Sequence, residues 1–176
     1  QVADLRRELQ DKVEQSAHEA RHDALTGVAN RLAWDEAIQS AQRSVDLGGT
    51  VSLVVADLNG LKATNDRYGH AAGDHLISTL ANTLRAAIRG NDLVARLGGD
   101  EFAVLLPDLG AHDAGGALDR LRRSLGEVRT VDDLPVLAAL GVGTCEPFGS
   151  VTETWRDADQ AMYAENRRHH ARLRAR

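Results

Sequence analysis

The sequence predicts an α+β domain with a central antiparallel sheet flanked by helices. Three observations carry that expectation. Apolar runs of strand length alternate with stretches of helical spacing. The pair Gly98-Gly99 separates Leu93-Val94-Ala95 from Phe102-Ala103-Val104-Leu105-Leu106, which reads as a β-hairpin. The 176 residues, 43% hydrophobic and 27% charged, suit one domain with its own core. Aromatics make up only 3%, so that core must come mainly from Ala, Val, Leu and Ile.

The elements follow in order. Residues 1–22 are polar and helix-favouring; Val2, Leu5 and Leu9 read either as a short coiled-coil seam, which Lys12 and Ser16 interrupt, or as part of a frayed leader helix. Asp23-Ala24-Leu25-Thr26-Gly27 breaks this helix. Asn30 is suited to cap a helix that runs to about Asp46 through Leu32, Trp34 and Ile38. Val51 to Ala56 is a nearly continuous apolar run, a buried strand that ends at Asp57. Asn59-Gly60-Leu61-Lys62 then reads as a tight turn. Leu76, Ile77, Leu80, Leu84 and Ile88 place a helix over 73–89, with Gly73-Asp74 as its natural start. The hairpin comes next. Ala114, Leu118, Leu121 and Leu125 mark a helix over 111–125. Val136 to Cys145 reads as a strand interrupted by Gly141 and Gly143, and residues 152–170 as a last helix. This order matches the split βαβ, ferredoxin-like plan.

Charge and composition narrow the function. A net charge of -5 argues against a general nucleic-acid binder, which needs a positive field. Cys145 stands alone, which rules out an internal disulfide or a cysteine-based zinc site and fits a reducing compartment. No run of about 18 apolar residues occurs. The expected location is cytoplasmic. The chain begins at Gln1 rather than Met, so we expect it to be part of a longer protein, with any sensory or membrane-attached portion upstream.

Several polar residues are placed to do chemistry. Asp57 closes the buried strand and Asp100 sits at the hairpin tip, beside Glu101. In a ferredoxin-like sheet the first strand and the hairpin can be neighbours. The two aspartates would then meet and could hold Mg²⁺ together with phosphate oxygens. The turn at 59–62 offers backbone N–H groups and Lys62 to phosphates. Asn65 and Asp74 carry donors and acceptors that match a guanine edge.

These stretches resemble the GGDEF domains, the catalytic domains of diguanylate cyclases. The signature is Gly98-Gly99-Asp100-Glu101-Phe102. The leading motif is Asp23 to Arg31, the middle motif is Asp57 to Asp74, and the last helix carries Ala158-Asp159-Gln160-Ala161-Met162-Tyr163. The resemblance implies a nucleotidyl-cyclase-type sheet over 23–171, preceded by a signalling helix over 1–22 and followed by a basic tail over 172–176. It implies condensation of two GTP into cyclic di-GMP with loss of two pyrophosphates, on a homodimer that uses Mg²⁺ or Mn²⁺. Asp57, the Leu58 carbonyl and Asp100 would hold metal. Glu101 would support that site or proton removal from the 3′-OH. Lys62, with the backbone of Leu58, Gly60 and Leu61, would hold phosphates. Asn65 and Asp74 would read guanine, and Gly98 and Gly99 would leave room for the nucleotide. An Asp at position 74 favours guanine over adenine, and hence cyclic di-GMP over a mixed product. Arg89 and Asp92 resemble the family's RxxD product-inhibition site, with Arg120 as its second arginine. One departure stands out. The family usually carries a phosphate-touching lysine three positions after the last-helix tyrosine, and here that position is Asn166. Asn166 favours the rival reading, a catalytically weak domain that senses GTP or cyclic di-GMP.

Overall fold

The computed structural model describes residues 2–174. Its helices are α1 (Val2–Glu19), α2 (Arg31–Asp46), α3 (Leu61–Tyr68), α4 (His70–Ala87), α5 (Ala111–Glu127) and α6 (Val151–Arg174). Its strands are β1 (Val51–Leu58), β2 (Leu93–Gly98), β3 (Glu101–Pro107) and β4 (Ala138–Cys145). The coiled-coil reading of Val2 and Leu5, and the tail arginines Arg172, Arg174 and Arg176, lie outside the residues whose side chains are described.

The strands form one sheet in the order β2-β3-β1-β4, with every neighbour antiparallel. This is the expected ferredoxin-like order, with β1 beside both the hairpin and the last strand. Period-two alternation sends Val54, Ala56, Leu58, Phe102 and Val104 to one face, under Leu76, Leu80 and Leu84 of α4 and Leu118 and Leu121 of α5. The other face puts Leu53, Ala103 and Leu105 under Trp34 and Val45 of α2. Val55 and Ala139 pack there against Ala158 and Met162 of α6. The Asn30 side chain accepts the Ala33 N–H at 3.1 Å, so the N-cap read from the sequence is present.

Three expectations need correction. Asn59 to Lys62 is not a free-standing turn, because Gly60 adopts φ 79° and starts α3. The following helix begins at His70, so Asp74 lies inside it and caps nothing. β4 runs through Gly141 and Gly143 without a break. Those glycines exist for packing: a Cβ on Gly141 would run into the Ala158 carbonyl oxygen and the Met162 nitrogen, and one on Gly143 would stand 2.6 Å from the Thr154 carbonyl. The backbone of α6 therefore rests directly on β4. Glu165 pins the same helix further along, accepting the Leu140 N–H at 2.8 Å and an Arg122 N–H at 3.1 Å. The consequence is positional, because the next residue on α6 is Asn166.

Candidate active site

β1 delivers Asp57 and Leu58 to one end of the sheet, and the hairpin delivers Asp100 to the same place. Asp57 stands opposite Glu101 across the β1–β3 ladder. The Leu58 N–H donates to the Asp100 carbonyl at 3.0 Å, and the Asn59 N–H to the Leu137 carbonyl at 2.8 Å. Strand end, hairpin tip and the approach to β4 are thereby fastened together. A cavity of about 430 Å³ opens there, lined in part by Asp57, Leu58, Lys62, Asp66, Asp100 and Asn166. Gly60 and Leu61 line it as well.

α3 explains how Lys62 arrives. The first N–H groups of a helix lack intrahelical acceptors, and no side chain caps those of α3. Open N–H groups, the positive end of the helix dipole and Lys62 face one cavity, an arrangement suited to phosphate oxygens. Asp66 was missed from the sequence. It lies four residues after Lys62, so once α3 is recognised as a helix the two share a face.

The donor set is oxygen only, which suits a hard cation such as Mg²⁺ or Mn²⁺. Among the described residues no group of three or more His, Cys, Asp or Glu side chains is placed to hold a metal. The residues fit a cation that completes its shell with phosphate oxygens and water, not a closed protein cage.

Asn65 and Asp74 lie outside this cavity's lining, on α3 and α4. Asn65 turns toward α4, and its Oδ1 is buried without a hydrogen-bond partner. A Cβ on Gly73 would occupy the place of that oxygen and lie 2.9 Å from Asn65 Cγ. Gly73 is therefore the space that admits the Asn65 amide beside Asp74, whose own side chain is exposed. Glu101 is also exposed.

The hairpin has a brace that sequence reading did not assign. Gly98 (φ 154°) and Gly99 (φ 46°) form the turn in backbone regions that favour glycine. Arg96 holds it: Nε and Nη2 both donate to the Gly99 carbonyl, at 3.1 and 2.9 Å, while Nη1 reaches Asp23 Oδ1 at 3.1 Å. Asp23 also accepts the Thr26 hydroxyl at 2.7 Å and the Thr26 N–H at 3.0 Å. Asp23 opens the leading motif and Arg96 stands just ahead of the Gly98–Phe102 signature, yet only the fold brings them together.

Burial pushes the Asp23 carboxyl up, but the Thr26 hydroxyl and the Arg96 guanidinium outweigh it and hold Asp23 below the ordinary carboxylate range. The sign follows directly. Ionised Asp23 stabilises the fold above its unfolded value of about 3.9, and that contribution is lost as pH falls through the lower folded value. Asp23→Asn is expected to flatten the acid limb of Tm against pH, in melts from about pH 5 downward. Parallel curves for the two proteins would remove the carboxylate from this role.

The RxxD residues sit at the α4–β2 turn. Asp92 Oδ2 accepts the Arg89 N–H at 2.8 Å, and the Asp92 N–H donates to the Arg89 carbonyl at 3.1 Å. Arg89 is exposed, and Arg120 is exposed on α5, which packs beside α4. Arg167, next to Asn166, stacks its guanidinium on the Tyr163 ring at 5.4 Å and is absent from the cavity lining.

This sheet order is ferredoxin-like, and the acidic hairpin tip shares a cavity with a helix start; together with the family match that follows, they make this a nucleotidyl-cyclase-type domain. The family described as "Diguanylate cyclase, GGDEF domain" matches residues 20–172. Diguanylate cyclase TpbB of Pseudomonas aeruginosa is 37% identical over 165 residues, which is 90% of this chain and 38% of that protein. Diguanylate cyclase DgcM of Escherichia coli is 35% identical over 152 residues, 85% of this chain and 37% of that protein. The coiled coil and GGDEF domain of DgcB from Caulobacter crescentus, solved in complex with c-di-GMP, is similar in structure, with a TM-score of 0.85. It is 28% identical, and the match covers 94% of this chain and 90% of that one. The chain belongs to the GGDEF domain family. It spans under two fifths of the length of the two cyclases named. Among the described residues no helix is long and apolar enough to cross a membrane.

Proposed function

We propose that this domain, residues 23–171, condenses two GTP molecules into cyclic di-GMP as a cytoplasmic homodimer. The observation that carries the reading is the single cavity shared by Asp57, Leu58, Lys62 and Asp100. Asp57, the Leu58 carbonyl and Asp100 would hold Mg²⁺ or Mn²⁺, which supplies Lewis-acid stabilisation of charge on the reacting phosphate. Lys62 and the N–H groups at the start of α3 hold the β- and γ-phosphates. Asn65 and Asp74 receive the guanine, and Gly98-Gly99 leaves the nucleotide free to approach. Each domain holds one GTP, so the attacking 3′-OH comes from the partner copy. Its oxygen bonds to the α-phosphorus, the bond to the β-phosphate oxygen breaks, and pyrophosphate leaves. Glu101 assists removal of the 3′-OH proton or orders the metal site. Repetition in the other direction closes the ring.

Arg89, Asp92 and Arg120 are the proposed product-inhibition site, where an arginine fork suits a guanine edge or phosphate. Residues 1–22 would join this unit to an upstream sensory domain.

The test is a product assay. The protein is stripped of nucleotide, incubated with GTP and Mg²⁺ at several protein concentrations, and its products are resolved by chromatography. Cyclic di-GMP made at a rate per molecule that rises with protein concentration is the expected result. Bound GTP with no dinucleotide formed would favour the sensor reading instead.

Gly73→Ala probes the guanine end. The new methyl group displaces the Asn65 amide, so KM for GTP is expected to rise about tenfold, the worth of one hydrogen bond. kcat and Tm should change little. An unchanged KM would take Asn65 out of base recognition.

A further inference from the structure

Asn166 occupies the position where the resemblance to the family leads us to expect a phosphate-touching lysine, and in this chain it meets a carboxylate. Its Nδ2 donates to Asp57 Oδ2 at 2.9 Å. Its Oδ1 is buried with no hydrogen-bond partner. The amide cannot be turned round, because two oxygens would then face each other. The carboxylate thus selects the NH₂ end, and the carbonyl end is left as a buried acceptor without a donor. Such a group is costly unless a ligand satisfies it.

The cavity points to the ligand. Asp57, Asp66 and Asp100 line it against Lys62 as its one basic side chain. A triphosphate would add several more negative charges. A hydrated divalent cation meets both needs at once: the carboxylates attract it, and its bound waters are strong donors. Mg²⁺ usually keeps several waters, and groups one layer out from a metal orient its ligands.

Resting on the proposed function, we infer that Asn166 is a positioning residue for the divalent cation. Its Nδ2 orients the Asp57 carboxylate, and its Oδ1 accepts a hydrogen bond from a cation-bound water. A lysine there would place a charge directly on the phosphates. This chain uses the same helix position to hold the cation and leaves Lys62 as the cavity's own positive charge. Its nucleotide binding should depend strongly on metal.

The experiment uses the whole chain, a non-hydrolysable GTP analogue and Mn²⁺. Mn²⁺ affinity is read by electron paramagnetic resonance at saturating analogue, and analogue affinity is read separately by calorimetry in EDTA. Asn166→Leu is expected to weaken Mn²⁺ binding about tenfold and to leave analogue affinity in EDTA unchanged. Asn166→Lys is expected to weaken Mn²⁺ binding while raising analogue affinity in EDTA, and it serves as the second variant if the leucine protein folds poorly. Mn²⁺ affinity within about twofold of wild type in both variants would overturn the inference. So would an equal loss of analogue affinity in EDTA for Asn166→Leu, which would make Asn166 a phosphate contact. Wild-type protein that binds neither analogue nor Mn²⁺ would overturn the proposed function itself. Wild-type protein that binds both and cyclises GTP, with Mn²⁺ affinity indifferent to residue 166, would overturn this inference alone.

Discussion

Asp100→Asn is expected to lower cyclic di-GMP formation by about 10³-fold or more and to leave the fold intact. The side chain lies at the hairpin tip and lines the cavity with Asp57. Its backbone, not its carboxylate, accepts the Leu58 N–H. The isosteric amide keeps the shape and that hydrogen bond but loses the negative charge. If Asp100 holds the metal as proposed, its loss forfeits several kcal/mol of transition-state stabilisation, and about 4 kcal/mol corresponds to that factor. Asp113→Asn, on an exposed carboxylate in the first turn of α5, is the matched control and should keep full activity. The measurement is initial rate by chromatography, with a thermal melt of each protein. More than a tenth of wild-type activity in Asp100→Asn would place the metal site elsewhere.

Gly141→Val is expected to be strongly destabilising. The new side chain would meet the Ala158 carbonyl and the Met162 nitrogen, both backbone atoms that cannot swing away. α6 would have to lift from β4. Overpacking on this scale costs about 3 kcal/mol, or about 6–12 °C in Tm at about 2–4 °C per kcal/mol for a chain of this size. Gly115→Ala is the contrast. It lies inside α5, and a Cβ there meets nothing within 4 Å. Alanine should raise stability by about 0.5–1 kcal/mol through helix propensity. An unchanged melt for Gly141→Val would mean that α6 can rest on β4 with room to spare. Because α6 also carries Asn166 to Asp57, a partly displaced helix should weaken metal binding as well.

The two changes show where sequence reading succeeds and where it stops. Asp100 was legible because the hairpin is local: two glycines between two apolar runs specify the turn, and the acidic residues follow at once. The buried run ending at Asp57 was legible for the same reason. Gly141 was misread as an interruption, because a glycine in a strand looks the same whether the strand breaks or a helix backbone lies on it. α3 was overlooked because its eight residues contain no buried side chain and so show no apolar stripe. That omission hid Asp66 and shifted the start of α4, which in turn made Asp74 look like a cap.

The sequence by itself determined the element types apart from α3, the ferredoxin-like plan, the membership of the family and the identity of the acidic and basic side chains. Each of these is written in local patterns: periodicity, turn glycines, caps and contiguous motifs. Only the tertiary structure decided which of those groups act on one another. Arg96 reaches Asp23 across 73 residues, and Asn166 reaches Asp57 across 109. The fit of Asn65 against Gly73 depends on how α3 turns back on α4. Such contacts depend on strand order, helix phase and the close approach of two backbones. The links of Arg96 to Asp23 and of Asn166 to Asp57 arise from packing that no short stretch of chain contains.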